Sequence, residues 1–122
     1  MLKKLTEAFR GQYIVRPLTR DDVPAVLKLY QSNAGYYAAI QNNPVSEEDC
    51  IHDMTECPPG ISADQKYFIG LYQDEILTAV MDFVDGYPDA DTIYIGLFIM
   101  DSVFHGKGTG TAILSSFLSI MR

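Results

Sequence analysis

The sequence predicts a single α/β (α+β) domain with a mixed, mostly antiparallel sheet flanked by helices. Two observations carry this prediction. The second half contains three apolar, β-rich runs joined by short polar connections, and apolar residues recur at helical spacing on either side of them. The chain has 122 residues, which is enough for one hydrophobic core and too few for two independently stable domains. We therefore expect residues 1–122 to form one unit.

The first elements in chain order are a helix and a strand. Residues 2–10 predict a short helix that ends near Gly11. β-branched and aromatic residues cluster at positions 13–16 and predict a strand, which Pro17 interrupts.

A second helix is predicted to begin near Val23 and Pro24, because proline is tolerated in a first turn. Asp21 or Asp22 can cap it by accepting hydrogen bonds from free backbone N–H groups. The helix ends near residues 32–33, and its apolar face consists of Val23, Val26, Leu27 and Tyr30.

Residues 35–40 predict either a loop or a helical turn. After them, the acids of residues 46–49 predict the start of another, short helix, which residues 57–60 close with two prolines and a glycine. Cys50 and Cys57 are placed on this helical segment, seven residues apart, where two turns separate them too far for a disulfide. We expect both to be reduced thiols.

The sheet is predicted from residues 66–72, 76–84 and 92–100, and the short connections between them imply an antiparallel meander. A glycine-rich turn follows, and then a helix over residues 111–121. Its apolar positions recur at helical spacing: Ile113, Leu114, Phe117, Leu118 and Met121.

Composition excludes several classes of function. The chain carries 9 basic and 16 acidic side chains, for a net charge of −7, so its average field repels nucleic acid and anionic lipid. An acidic surface mildly favours a cationic partner such as an amine, but solubility alone explains it more simply. No apolar run approaches the ~18 residues that a membrane span needs, and no signal-peptide pattern is present. Two histidines and two distant cysteines give no metal-ligand spacing. We therefore expect a cytoplasmic protein with no metal and no nucleic-acid or membrane partner.

The sharpest local signal is the run Phe-His-Gly-Lys-Gly-Thr-Gly-Thr at residues 104–111, between a strand and an amphipathic helix. Such a connection favours an anion, because free backbone N–H groups and the positive helix end converge there and glycine lets the backbone approach a phosphate. The alternative is a tight turn that needs glycine only for its backbone conformation.

Two common phosphate motifs do not fit this run. A Walker A loop would need glycine at position 101, where the sequence has Asp101. The dinucleotide fingerprint would need a third glycine at position 111, which is Thr111, and it would follow a first strand.

The run resembles the acyl-CoA signature of the GNAT N-acetyltransferases, Gln/Arg-x-x-Gly-x-Gly/Ala, over residues 105–110, with His105 in place of the usual Gln or Arg. The order of elements also matches the N-terminal two-thirds of that family's fold. The resemblance implies acetyl-CoA as co-substrate, with its pyrophosphate on the backbone of residues 106–111 and its pantetheine arm along residues 98–100. The implied cofactor-binding residues are Phe98, Ile99, Met100, His105, Gly106, Lys107, Gly108, Thr109, Gly110 and Thr111.

The same resemblance implies that the family's final strands and helix are missing. We expect either a truncated product of a longer protein or an assembly, such as a homodimer, in which a partner completes the sheet, because an unpaired strand edge is a template for another chain.

In the GNAT family, a primary amine of a small molecule or peptide attacks the thioester directly in a ternary complex. Residues 93–100, where some relatives carry a base, contain no Asp or Glu, and we assign no catalytic residue. Candidate acceptor-side groups are Asp82, Asp85, Tyr87, Tyr36 and Tyr37, although residues 86–89 also fit an ordinary turn. His52 is expected to be a surface residue.

The sequence is also compatible with three alternatives. A non-catalytic acyl-CoA-binding or regulatory module predicts donor binding without turnover. A nucleotide- or phosphate-binding domain of another family predicts no preference for the CoA arm, and a purely structural turn predicts no ligand.

Overall fold

The structure is a computed structural model that describes residues 1–120. It contains four strands and five α-helices, with three short 3₁₀ turns between them. In chain order the elements are α1 (Leu2–Ala8), β1 (Ile14–Pro17), α2 (Val23–Gln31), α3 (Ala34–Ile40), α4 (Glu47–Thr55), β2 (Lys66–Gln73), β3 (Ile76–Asp85), β4 (Ile93–Met100) and α5 (Thr109–Ile120). The predicted α/β (α+β) class is confirmed.

The sheet has the order β1-β2-β3-β4, and every neighbouring pair is antiparallel. The predicted meander is therefore confirmed. Its β2-β3-β4 part forms because the connections after β2 and β3 are too short for a crossover, so β3 pairs with β2 and β4 pairs with β3.

Helices cover both faces of the sheet, which explains why β3 reads as a nearly continuous apolar run. One buried cluster packs the sheet against α2, α3 and α4, and the other packs it against α1 and α5. Phe83 lies at the centre of the second cluster, fully buried between the rings of Tyr67 and Phe117 at centroid distances of 5.0 and 5.1 Å.

A β-bulge interrupts the pairing of β3 with β4. Asp82 pairs with Leu97 and Phe83 pairs with Ile95, so Gly96 is an extra residue on β4. The bulge places Gly96 at the edge of the site described below.

Some local expectations were wrong. Asp22 does not cap α2 through its side chain; its carboxylate accepts a hydrogen bond from the Thr19 backbone N–H at 2.8 Å and so closes the preceding 3₁₀ turn. Cys57 lies beyond the end of α4, so the two cysteines do not share a helix, although both are free thiols.

The helix α4 begins as predicted, because the Ser46 hydroxyl and the Asp49 carboxylate form a capping box. In α5, Ile113 and Phe117 are buried as expected, but Leu118 is 50% exposed. Met121, which was placed on the same face, lies outside the described residues.

Candidate functional site

The glycine-rich segment forms an open loop that leads directly into α5. Gly106 and Gly108 adopt φ values of +76° and +73°, a conformation that side chains other than glycine rarely adopt. An added Cβ at either residue would meet nothing within 4 Å, so the backbone, not a side chain, forms the surface here. Because α5 begins at Thr109, two residues before the predicted Thr111, its first turn presents free N–H groups at the end of the loop.

His105 anchors this loop to the end of β4. Its Nε2 lies 3.1 Å from the backbone oxygen of Met100, and Asn33 Nδ2 donates to the same oxygen at 2.9 Å. Since a carbonyl oxygen only accepts, Nε2 carries the proton in this contact. The histidine that departs from the usual Gln or Arg therefore has a structural partner, the last residue of β4.

The backbone groups of β4 alternate between β3 and the outer edge of the strand. Asp101 N donates to Thr78 O at 2.9 Å, and alternation along an antiparallel ladder then directs the groups of Ile99 toward β3. Those of Phe98 and Met100 face the outer edge, where the Met100 oxygen already accepts from Asn33 and His105. Of the three predicted strand residues, Phe98 thus has backbone N–H and C=O groups that face this edge and are not bonded to Asn33 or His105.

A cavity of ≈ 700 Å³ lies along this edge and reaches the glycine-rich loop. It collects most of the residues that the sequence predicted for donor binding: Phe98, Ile99, Met100, His105, Gly106, Gly108, Gly110 and Thr111. Lys107 and Thr109 belong to the same loop but do not line the cavity. We refer to this space as the donor-side cavity.

A second cavity of ≈ 470 Å³ lies between α4 and the outer ends of β2, β3 and β4. Four carboxylates line it, those of Asp49, Asp53, Glu56 and Asp82, against one lysine, Lys66. Tyrosines from α3 and from the β3–β4 region complete the wall: Tyr36, Tyr37, Tyr87 and Tyr94. We refer to this space as the acidic cavity.

The floor of the acidic cavity contains a buried ion pair. Lys66 Nζ lies 2.9 Å from Asp82 Oδ1, with the two side chains only 7% and 16% exposed. Burial raises the pKa of Asp82 above its ordinary value, and the charges of Asp53 and Glu56 raise it further, while Lys66 opposes both effects. The carboxylate of Asp82 is therefore held in place but poorly solvated.

The carboxylates of α4 differ in their surroundings. The Tyr30 hydroxyl donates to Asp53 at 2.8 Å, and burial raises the pKa of Asp53 against the opposing effect of that hydrogen bond. The pKa of Asp49 is lowered, first by the hydrogen bond from the Ser46 backbone N–H and then by the one from the Gln41 side chain. Glu56 is 62% exposed and lies 3.0 Å from His52.

The two cavities meet at Tyr36, Gly96 and Leu97, which line both of them. Gly96 is the extra residue of the bulge, and a Cβ at this position would lie 3.3 Å from Asp82 Oδ2. The bulge therefore brings β4 close to the Asp82 carboxylate at the point where the cavities join.

Comparisons with solved structures identify the fold. An acetyltransferase from Thermus thermophilus is similar with a TM-score of 0.72 and 22% identity, over 88% of this chain and 68% of that protein. A PaiA N-acetyltransferase from Thermoplasma acidophilum, solved in complex with coenzyme A, gives 0.58 and 16% over 90% and 72%. The GNAT domain of the S. lividans PAT gives 0.58 and 18% over 90% and 65%.

The chain has the GNAT fold. No family model matches the sequence, and no curated protein matches it either. Likeness at these sequence identities shows the fold alone. The reaction of this GNAT-like chain depends on its own site residues.

Four of the five candidate acceptor-side residues line the acidic cavity of the GNAT fold, namely Asp82, Tyr87, Tyr36 and Tyr37. Asp85 does not line it. His52 is 68% exposed in its side chain, as expected of a surface residue, although it lies at the rim of this cavity.

Sequence reasoning missed Asp49, Asp53, Glu56 and Lys66. The three acids follow one another at intervals of four and three residues, which places them on one side of a helix, and this spacing is the signal that could have indicated an acidic helix face. Among residues 1–120 no group of three or more His, Cys, Asp or Glu side chains is arranged to hold a metal ion. Within the same range, every helix is too short or too polar to span a bilayer.

Proposed function

We propose that this chain is an N-acetyltransferase that transfers the acetyl group of acetyl-CoA to a primary amine, and that residues 1–122 form a single acyltransferase domain. The observation that carries the proposal is the junction of two cavities at Gly96 and Leu97, one beside an open glycine-rich loop and the other acidic. A transferase acting in a ternary complex needs such adjoining sites, because donor and acceptor must be in contact when they react.

The donor-side cavity has the features that an acyl-CoA requires. The exposed residues 106–108 and the first turn of α5 offer backbone N–H groups to a pyrophosphate, and Lys107 supplies a positive charge on the loop. The outward backbone groups of Phe98 can pair with the amide groups of a pantetheine arm as a neighbouring strand would. The solved complex of a similar fold with coenzyme A supports this assignment.

The acidic cavity suits a cationic acceptor. Its four carboxylates outnumber the single lysine, so its field attracts an ammonium group and repels an anion. Tyrosine rings add favourable faces for a cation, and the Tyr36–Tyr37 and Tyr87–Tyr94 pairs stand edge to face at 5.1 and 5.6 Å. The acceptor is therefore an amine that binds as its ammonium form.

A cytoplasmic location is part of this proposal, because the chain keeps two free thiols, as proteins of reducing compartments do. A homodimer that completes the sheet beside β4 stays a prediction.

The proposal is tested first by the melting temperature of the chain with increasing acetyl-CoA, with ATP and inorganic phosphate as controls. Ligand at ~100 times its Kd adds about 2.7 kcal/mol of stability, a shift of several degrees for a domain of this size. Lys107→Ala should weaken acetyl-CoA binding. The matched control Lys3→Ala removes the same charge from α1, away from the loop, and should leave binding unchanged.

Turnover is then measured as release of the CoA thiol with a panel of amines: spermidine, L-lysine, ethanolamine and a peptide with a free N-terminus. A selective shift with acetyl-CoA followed by acetylation of one of these amines supports the proposal. An equal shift with ATP argues against an acyl-CoA site. A selective shift without turnover points instead to a non-catalytic acyl-CoA-binding module.

A further inference from the structure

The Asp82 carboxylate lines the acidic cavity beside Gly96, one of the residues at which this cavity meets the donor-side cavity, and only one of its oxygens is engaged by another side chain of residues 1–120. We propose that Asp82 removes the proton of the acceptor ammonium and that Lys66 positions Asp82 for this step. The inference rests on the proposed function and assigns a catalytic residue to it.

The geometry separates the two oxygens of Asp82. Oδ1 accepts a hydrogen bond from Lys66 Nζ at 2.9 Å, which fixes the plane of the carboxylate. Oδ2 faces the bulge, where Gly96 leaves room that a larger residue would fill, since a Cβ there would lie 3.3 Å from Oδ2. An ammonium at the junction can therefore donate to Oδ2 without displacing Lys66.

The other carboxylates of the cavity are less suited to this role. Asp53, which accepts a hydrogen bond from the Tyr30 hydroxyl at 2.8 Å, and Asp49, which completes the capping box, both lie on α4 and not on the strand that pairs with β4. Glu56 is 62% exposed at the rim, where it lies 3.0 Å from His52. Of the four, Asp82 is the one on β3, directly opposite Leu97, which lines both cavities.

Burial and the neighbouring carboxylates favour transfer of a proton to Asp82. The titratable groups that line the acidic cavity with it are Lys66 from β2, His52, Asp53 and Glu56 from α4 and its end, Asp49 from the first turn of α4, Tyr36 and Tyr37 from α3, and Tyr87 and Tyr94 from the β3–β4 side. Burial raises the pKa of Asp82, and the charges of Asp53 and Glu56 raise it further, while Lys66 acts in the opposite direction. The net rise makes Asp82 a stronger base and narrows the gap between the pKa of an ammonium and that of the carboxylate.

The proposed reaction moves one proton to Asp82 and one to the CoA thiolate. The ammonium R–NH3⁺ gives one proton to Asp82 Oδ2 and becomes R–NH2, whose nitrogen lone pair attacks the thioester carbonyl carbon of acetyl-CoA. The C–N bond forms, the C–S bond breaks with its electron pair on sulfur, and the proton that leaves the nitrogen on amide formation ends on the CoA thiolate. The proton on Asp82 returns to solvent after product release.

The test is the pH profile of kcat and kcat/KM for wild type, Asp82→Asn and the control Asp74→Asn, with acetyl-CoA and the amine of the panel that is turned over. Asp82→Asn keeps an oxygen for Lys66 and has nearly the same volume, while Asp74→Asn removes the same charge from the β2–β3 turn. Acetyl-CoA binding and melting temperature are measured for each variant, so that misfolding is recognised independently of turnover. A second substitution, Asp82→Glu, keeps the carboxylate if Asp82→Asn does not fold.

We expect Asp82→Asn to lower kcat about a hundredfold or more, as loss of a general base does, with unchanged acetyl-CoA binding. It should also lose the acidic limb of the wild-type kcat/KM profile, where activity falls as Asp82 becomes protonated. Asp82→Glu should retain an acidic limb at a different pH, and Asp74→Asn should match wild type.

An Asp82→Asn variant within threefold of wild-type kcat, with the acidic limb still present, overturns the inference and leaves the proposed function standing. A wild-type chain that binds acetyl-CoA but acetylates no amine of the panel overturns the proposed function, and the role of Asp82 with it.

Discussion

Replacement of Lys66 by Met tests the electrostatics of the acidic cavity through stability alone. The substitution keeps most of the side-chain volume and removes the partner of Asp82, whose carboxylate is then left buried without a counter-ion. Breaking such a pair costs about 3–5 kcal/mol. The side chains are only 7% and 16% exposed, so solvent screens the interaction little. At about 4 °C per kcal/mol for a domain of this size, ~3 kcal/mol lowers the Tm by about 12 °C.

The pH dependence of this loss has a definite sign. The folded-state pKa of Asp82 already lies above its ordinary value, and removal of Lys66 raises it further. A carboxyl group with a raised folded pKa destabilises the protein increasingly as pH rises from the unfolded pKa, about 3.9, to the folded one. The deficit of Lys66→Met relative to wild type should therefore be smaller at pH 5 than at pH 7.5.

Urea denaturation at these two pH values measures the effect, with Lys3→Met as a control for an exposed lysine. The double variant Lys66→Met/Asp82→Leu replaces both charges by apolar groups and should recover most of the lost stability. The reasoning is refuted if Lys66→Met lies within about 1 kcal/mol of wild type at pH 7.5, or if its deficit does not change with pH.

Three further predictions concern the core, the thiols and the loop. Phe83→Ala removes a fully buried ring and should cost about 3–5 kcal/mol in urea denaturation; a loss below ~1 kcal/mol would contradict its central place in the core. Burial raises the pKa of Cys50 to about 12, so at pH 8 a disulfide reagent should titrate Cys57 in the native protein and Cys50 only after denaturation, whereas rapid reaction of both would argue against this packing. His105→Ala removes the contact with the Met100 oxygen and should raise the Kd for acetyl-CoA about fivefold, the equivalent of ~1 kcal/mol; an unchanged Kd would show that the contact does not hold the loop.

The order and pairing of the elements could be predicted from the sequence because they depend on local signals. The short connections after Tyr72 and Val84 allow only an antiparallel return, and the acids after Ser46 mark the start of a helix. The side-chain cap of α2 was predicted wrongly, because the Asp22 carboxylate accepts from the Thr19 backbone N–H and closes the preceding turn instead.

The acidic cavity could be predicted only in part. Asp82 and the tyrosines were candidates because of their position in the chain, but the contact between Lys66 and Asp82 depends on the register of β2 against β3, which pairs Lys66 with Val84 and Phe68 with Asp82. Likewise, the acids of α4 line the cavity only because the packing of Cys50 into the core fixes the orientation of the helix. Contacts of this kind depend on tertiary packing and leave no local signal in the sequence.

The bulge at Gly96 also changes the phase of β4. Before it, Ile93 and Ile95 pack toward α1 and α5; after it, the residues on that same side are Phe98 and Met100, so odd positions give way to even ones. Deletion of Gly96 would therefore leave both halves of β4 in register with β3, because Ile95 and Leu97 would become neighbours opposite Phe83 and Asp82. The strand would lose the local bend that the extra residue gives it, so the expected damage is to the junction of the two cavities and not to the core.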